Sequence, residues 1–106
     1  MTGAEGEEEL KQLVGGKSQK HFSTSIGGRF VDQYSNNIAH EAKVGYVPLT
    51  KRIRTQVEKD AELMRNGDIE GAHWHFFRSG VTGKIGPSAP LRNLLEEHGI
   101  KYTIYE

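Results

Sequence analysis

Residues 29–45 read RFVDQYSNNIAHEAKVG, and the way this segment pairs with itself sets the architecture. Two strand-like runs flank Asn36-Asn37, a pair that tolerates the positive φ angles of a tight hairpin turn. With a two-residue turn, Ser35 faces Ile38 and Asp32 faces Glu41. A four-residue loop keeps that register and an odd one breaks it. Lys43 lies two residues beyond Glu41 and so points to the same face of the strand. Two carboxylates and one ammonium thereby gather on one side of a hairpin.

Like charges directly opposed in a sheet, with Cβ atoms ~4.5–5.5 Å apart, destabilise it. A divalent cation converts that repulsion into binding. Mg²⁺ prefers oxygen ligands and keeps several waters, and Asp32, Glu41 and the backbone carbonyl of Ala42 supply part of an octahedron. Mn²⁺ and Zn²⁺ are the alternative ions. A cation there polarises a phosphoryl oxygen and acidifies its water, while Lys43 orients or deprotonates that water or neutralises the phosphate. The chemistry this suits is hydrolysis of a phosphodiester. The same residues also read as an Asp–Lys–Glu salt-bridge cluster on a wet strand face, and a pattern this short leaves both open.

Outward from the hairpin, EGEEELKQLVGG (5–16) has the spacing of a helix with Leu10, Leu13 and Val14 on one face and Gly15-Gly16 at its end. KHFSTS (20–25) is a short strand. VPLT (47–50) breaks the hairpin's second strand, and Thr50 caps a helix running to about Asn66-Gly67, with Ile53, Val57, Ala61 and Met64 as its buried stripe. AHWHFF (72–77) is a strand and RSGVTGKIGPS (78–88) a loop. Ser88 caps a last helix carrying Pro90 in its first turn and ending at Gly99, and IKYTIYE (100–106) closes the chain as a strand. Hairpin strands followed by helical crossovers imply an α/β fold with a mixed sheet and helices against it.

The chain has 106 residues, the size of a single domain. We expect one unit over 1–106, with residues 1–4 a flexible lead-in. No apolar run approaches the ~20 residues of a membrane-spanning helix, so no membrane anchoring is expected. The first ten residues are acidic rather than basic then apolar, unlike a signal peptide. Without cysteine there is no thiolate metal site. Formal net charge is zero, but residues 17–54 hold Lys17, Lys20, Arg29, Lys43, Lys51, Arg52 and Arg54 against Asp32 and Glu41. That basic middle is either a phosphate-binding face or a solvated mixed surface.

The hairpin resembles the active-site hairpin of the PD-(D/E)xK, restriction-endonuclease-like nucleases. Asp32 matches the lone acidic position, and Glu41, Ala42 and Lys43 match the ExK element; Val31 stands where the family's often absent proline would be. The resemblance implies a core of helix, three strands, helix and strand, here with a further helix and strand after it. GEEELKQLVGGK, GGRFVDQ, EAKVG and GAHWHFFRS…TGKIGPSAPL together resemble the C-terminal toxin domains of contact-dependent growth inhibition and other polymorphic toxins. This implies a monomeric metal-dependent nuclease, borne at the C-terminus of a secreted or cell-surface effector. It would act in the target-cell cytoplasm and pair with a cognate immunity protein. The family often adds an acid from the first helix, for which Glu7 is the candidate, Glu9 second, with Glu8 pointing away. It also often adds a glutamine from the following helix, for which Gln56 is the candidate. A solvated acidic first turn and a plain surface glutamine are the alternatives.

Three functions stay open: a DNase, an RNase cutting tRNA on the same scaffold, and a non-catalytic binding module. His40, on the strand face opposite Glu41, reads as a core-edge or solvated residue. His73 and His75 share a face and suggest a zinc pair, but spacing supplies no third ligand, and a structural role is the simpler reading. Trp74 and Phe76, on the opposite face, are core candidates. Arg78, Ser79 and Lys84 sit in or near the glycine-rich loop as candidate substrate contacts.

Overall fold

The computed structural model describes residues Met1–Glu106. The chain runs α1 (Gly3–Val14), β1 (Lys17–Thr24), β2 (Gly27–Ser35), β3 (Ile38–Val44), β4 (Tyr46–Val47), α2 (Lys51–Asn66), β5 (Gly71–Phe77), β6 (Gly86–Pro87), α3 (Ala89–Glu97) and β7 (Lys101–Tyr105). Five strands form one sheet in the order β1-β2-β3-β5-β7. The first three are antiparallel, and β3, β5 and β7 are parallel. The sheet is mixed, as the hairpin and crossovers require.

Asn36 and Asn37 take φ of 52° and 65°, which makes the two-residue turn and sets Ser35↔Ile38, Tyr34↔Ala39 and Gln33↔His40 as partners. Gly45 ends β3 with φ 84°. Val47, expected to break the strand, instead joins Tyr46 in β4. That strand pairs with β6, a two-residue strand inside the stretch expected to be loop.

The helices start where side chains can satisfy their open N–H groups. Thr50 Oγ1 accepts from Ile53 N at 3.2 Å and Ser88 Oγ from Leu91 N at 3.3 Å. At α1, Thr2 and Glu5 form a reciprocal capping box. The lead-in expected to be flexible is therefore the cap and first turn of a helix. Along α1, Leu10 is fully buried while Leu13, expected beside it, is 49% exposed. Gly6 takes part in the contact instead: a Cβ there would lie 2.5 Å from Val44 Cγ2.

The main core lies between one sheet face and α2 and α3, built on Val57, Leu63, Trp74, Phe76, Leu91 and Leu95. Each such side chain stabilises by roughly 1.5–3 kcal/mol when fully buried. On α2 the buried stripe includes Asp60 and Leu63, and Met64 is only partly buried. The parallel register puts Glu41 beside Trp74 and Lys43 beside Phe76 on the core face. It puts His40 beside His73, Ala42 beside His75 and Val44 beside Phe77 on the other face, where α1 packs. Because α1 rests so closely on Val44, Gly6→Val should overpack that contact and lower stability by about 1–3 kcal/mol, measurable by denaturant unfolding.

Candidate active site

The hairpin register holds for three pairs and then stops. Beyond Gln33↔His40 the ladder is open, so Asp32 does not pair with Glu41 across a regular ladder as expected. The Asp32 side chain fills the gap: Ala42 N–H donates to Asp32 Oδ2 at 2.9 Å. A carboxylate thus takes the place of a carbonyl, because a strand N–H left unpaired in a half-buried site is expensive. The N–H and C=O of an extended residue face the same neighbour, so the Ala42 carbonyl lies on the Asp32 edge of β3, where the expected ligand would be.

The same break crosses into β1. Ser18 pairs with Gln33 and Lys20 with Val31, but Gln19 and Asp32 are skipped, and Gln19 sits at φ 51°. A side chain in that region stores of order 1–3 kcal/mol of strain. Its position is useful: Gln19 Nε2 donates to Asp32 Oδ1 at 3.3 Å and to Glu7 Oε1 at 3.2 Å. Glu7, the acid expected from the first helix, is thereby linked to the hairpin. Glu8 lines the same cavity of about 280 Å³ as Glu7, Gln19 and Asp32, whereas Glu9 does not. This reverses the expected order of the second and third glutamates.

On the core face, Glu41 is buried between two cations. Arg29 Nη2 lies 3.2 Å from its Oε1 and Lys43 Nζ 3.0 Å from its Oε2. Lys43 Nζ also donates to Gln56 Oε1 at 2.7 Å and sits 5.2 Å from the Trp74 ring centroid. Gln56 therefore faces the site as expected. Arg29 continues the network to α2, its Nε donating to Asp60 Oδ1 at 2.8 Å, and Trp74 Nε1 donates to Asp60 Oδ2 at 2.9 Å. Burial works against the charge on Arg29, but Asp60 and Glu41 more than offset it and raise its pKa.

Arg29 and Asp60 were missed by sequence reasoning. Arg29, expected on the basic face, is buried. Asp60 occupies a helical position three beyond Val57, inside the apolar stripe. A charge at that spacing is the signal that a partner was due.

Half-buried Asp32 differs from the buried acids Glu41 and Asp60 in having no cation beside it. Burial, then the charge of Glu41, push its carboxyl up to about 7, with the Ala42 N–H opposing and Glu7 adding to the rise. Each oxygen of Asp32 and Glu41 receives one hydrogen-bond partner, so a lone pair remains on each. Hard oxygen donors around an uncompensated negative site fit a divalent cation such as Mg²⁺ or Mn²⁺. Asp32 and Glu41 share the wall of a cavity of about 290 Å³ with Arg29, Gln56, Arg52 and Lys59. Lys51, Arg52 and Lys59 extend along the outer side of α2 next to Gln56. The basic face is thus narrower than the sequence count, since Arg29 and Lys43 turn inward and Lys59 joins.

Trp74 and Phe76 are core residues, as expected. Arg78 and Ser79 spend their polar groups inside their own loop, Arg78 on Gly83 O and Ser79 on the amides of Val81 and Thr82. On the opposite sheet face His40 joins His73 and His75, so the pair has a third imidazole that linear spacing did not supply. Burial holds all three below the usual histidine range, His40 to about 4 and His75 to about 3.

Comparison of the chain with protein-family models, with curated proteins and with solved structures finds no match to any of them.

Two outcomes follow from the electrostatics. Between about pH 4 and pH 7 native Asp32 keeps a proton that the unfolded chain has released, so its contribution to stability falls as pH rises. Asp32→Asn should remove that slope and be about 1–3 kcal/mol more stable than wild type at pH 8 without divalent cations; urea unfolding across pH reads it. Asp60→Ala should destabilise by about 3–5 kcal/mol, because it strands the Arg29 guanidinium in the core; the shift in denaturation midpoint checks this.

Proposed function

We propose that this domain is a metal-dependent nuclease of the restriction-endonuclease-like PD-(D/E)xK class, with DNA as its substrate. The observation that carries the reading is the open end of the β2–β3 ladder. Asp32 and Glu41 line one cavity there, with Lys43 held on Glu41 and Gln56, beside a basic rim. Ion pairing does not account for Asp32, which has no cation within salt-bridge distance, unlike Glu41 and Asp60.

Asp32, Glu41 and the Ala42 carbonyl would hold the cation. When bound, it supplies Lewis acidity to a phosphoryl oxygen and makes its water more acidic. The rest is done by the chain. Glu41 Oε2 and Gln56 Oε1 occupy two of the three Lys43 N–H donors. The third is free for a phosphoryl oxygen, where an ammonium offsets the charge that builds in the transition state. Trp74 and Glu41 fix the lysine in place, so little reorganisation is needed on substrate binding. Arg52 and Lys59 suit the flanking phosphates. Water attack would form one P–O bond as the bond to the leaving sugar oxygen breaks; the water gives up one proton to solvent, and the departing oxygen takes one up from solvent, so the step is balanced.

The resemblance of the sequence to polymorphic toxin domains extends the proposal to a toxin delivered into target bacteria and held inactive by a cognate immunity protein. An acidic partner would complement the Lys51–Arg52–Lys59 rim.

The test uses the purified domain with plasmid DNA and, separately, total cellular RNA, with Mg²⁺, Mn²⁺, Zn²⁺ or EDTA. Plasmid should be cut with Mg²⁺ or Mn²⁺ and remain intact in EDTA. Lys43→Met should slow cutting by about 10²–10³-fold, and Asp32→Ala and Glu41→Ala should abolish it. Loss of a discrete tRNA band with intact plasmid would move the substrate to RNA. Survival of both substrates in every metal would overturn the enzyme reading.

A further inference from the structure

The sheet has a second cluster of ligating side chains, on the face away from the carboxylates. The parallel register of β3 and β5 sets His40 directly beside His73, and His75 follows two residues on along the same face. One ligating nitrogen from each imidazole falls within 4.8 Å of the other two, and His40 Nδ1 is 2.9 Å from His75 Nε2. The His73 and His75 rings stack with centroids 3.9 Å apart.

The outward nitrogens are occupied. His75 Nδ1 lies 2.7 Å from the Tyr105 hydroxyl, and His73 Nε2 lies 2.7 Å from Thr103 Oγ1. Both partners stand on β7, the strand beyond β5. A ligating histidine commonly donates its other ring N–H to a neighbouring acceptor, which fixes the tautomer and the ring angle. Tyr105 and Thr103 can accept those protons. That leaves His75 Nε2, His73 Nδ1 and His40 Nδ1 as the inward nitrogens; the one proton shared in the 2.9 Å His40–His75 hydrogen bond is released from it when a metal binds.

We propose that His40, His73 and His75 form a binding site for a transition-metal dication, Zn²⁺ being the best match. Zinc accepts imidazole nitrogen at ~2.0–2.1 Å in tetrahedral geometry, so its nitrogens stand ~3.3 Å from one another. The His40–His75 pair is already near that spacing. The third nitrogen needs a ring movement of the order of 1–2 Å, which half-buried His73 can make. His40 and His73 also line a cavity of about 300 Å³, from which water can supply the fourth ligand. Imidazole donors select zinc over the hard cations that suit Asp32 and Glu41, so one sheet would hold two metals of different character on its two faces. Bound metal would tie β3 to β5 across the strands that carry Glu41, Lys43 and Trp74.

The test titrates Zn²⁺, and separately Co²⁺, into the full chain carrying Asp32→Asn, which weakens the carboxylate site. One equivalent of Zn²⁺ should bind by calorimetry. The Co²⁺ form should show the intense visible absorption of a four-coordinate site, not the weak bands of octahedral oxygen ligation. His73→Gln should remove both signals, and Tyr105→Phe should weaken zinc about 10–100-fold. Failure of the Asp32→Asn chain to bind zinc, weak octahedral cobalt bands, or unchanged binding by His73→Gln would each overturn the site. Should His73→Gln not fold, Tyr105→Phe and Thr103→Val decide, and unaltered affinity in both would overturn it. None of these readouts depends on nuclease activity, so this site and the proposed function stand or fall separately.

Discussion

The Arg29 guanidinium is the interaction on which the rest of the site depends. It leaves β2 and reaches Glu41 on β3 and Asp60 on α2 at once. A planar fork of fixed donors can serve two carboxylates in this way, and a lysine ammonium could not reproduce its geometry. Both strands of the hairpin and a helix that follows them are held together by one charged group. Such a network adds little net stability over an apolar replacement, since desolvating the charges offsets most of their attraction. Its value is positional. It fixes where Glu41 points, and Glu41 in turn fixes Lys43.

Asp32 stands outside that balance. Glu41 has two cationic neighbours, whereas Asp32 has an amide and a glutamine. It also occupies the one place where the β2–β3 ladder opens, and Gln19 across from it adopts a strained backbone. An uncompensated carboxyl, an interrupted ladder and a positive φ in adjacent strands coincide at one point. Regular sheet geometry would have been the lower-energy choice for each locally. Their coincidence is the pattern expected where binding, rather than folding, shaped the local structure.

The sheet separates two kinds of chemistry by the simple alternation of side chains. Along β3, His40 and Glu41 are neighbours in sequence and belong to opposite faces. Oxygen donors and cations gather toward α2, and imidazoles gather on the other face. Parallel pairing brings β5 into register on both faces, so Trp74 supports the carboxylate side while His73 and His75 extend the histidine side.

The sequence by itself determined the hairpin turn and the first three pairs of its register, because Asn36-Asn37 accept positive φ and a two-residue turn fixes the partners next to it. It determined the helix starts at Thr50 and Ser88, where a hydroxyl satisfies an open amide. It also placed Asp32, Glu41 and Lys43 as candidates from strand spacing, and Gln56 through the resemblance to a known family. Tertiary structure decided what local spacing does not encode. Which strand lies beside β3 made His40 the third histidine, and the approach of α2 turned Asp60 into a core acid and drew Arg29 inward. The Thr2 cap lay within reach of sequence reasoning, since Thr2 and Glu5 stand at capping-box spacing. The opening of the ladder at Asp32 was not, because a side chain replacing a carbonyl depends on how three strands twist together rather than on any one of them.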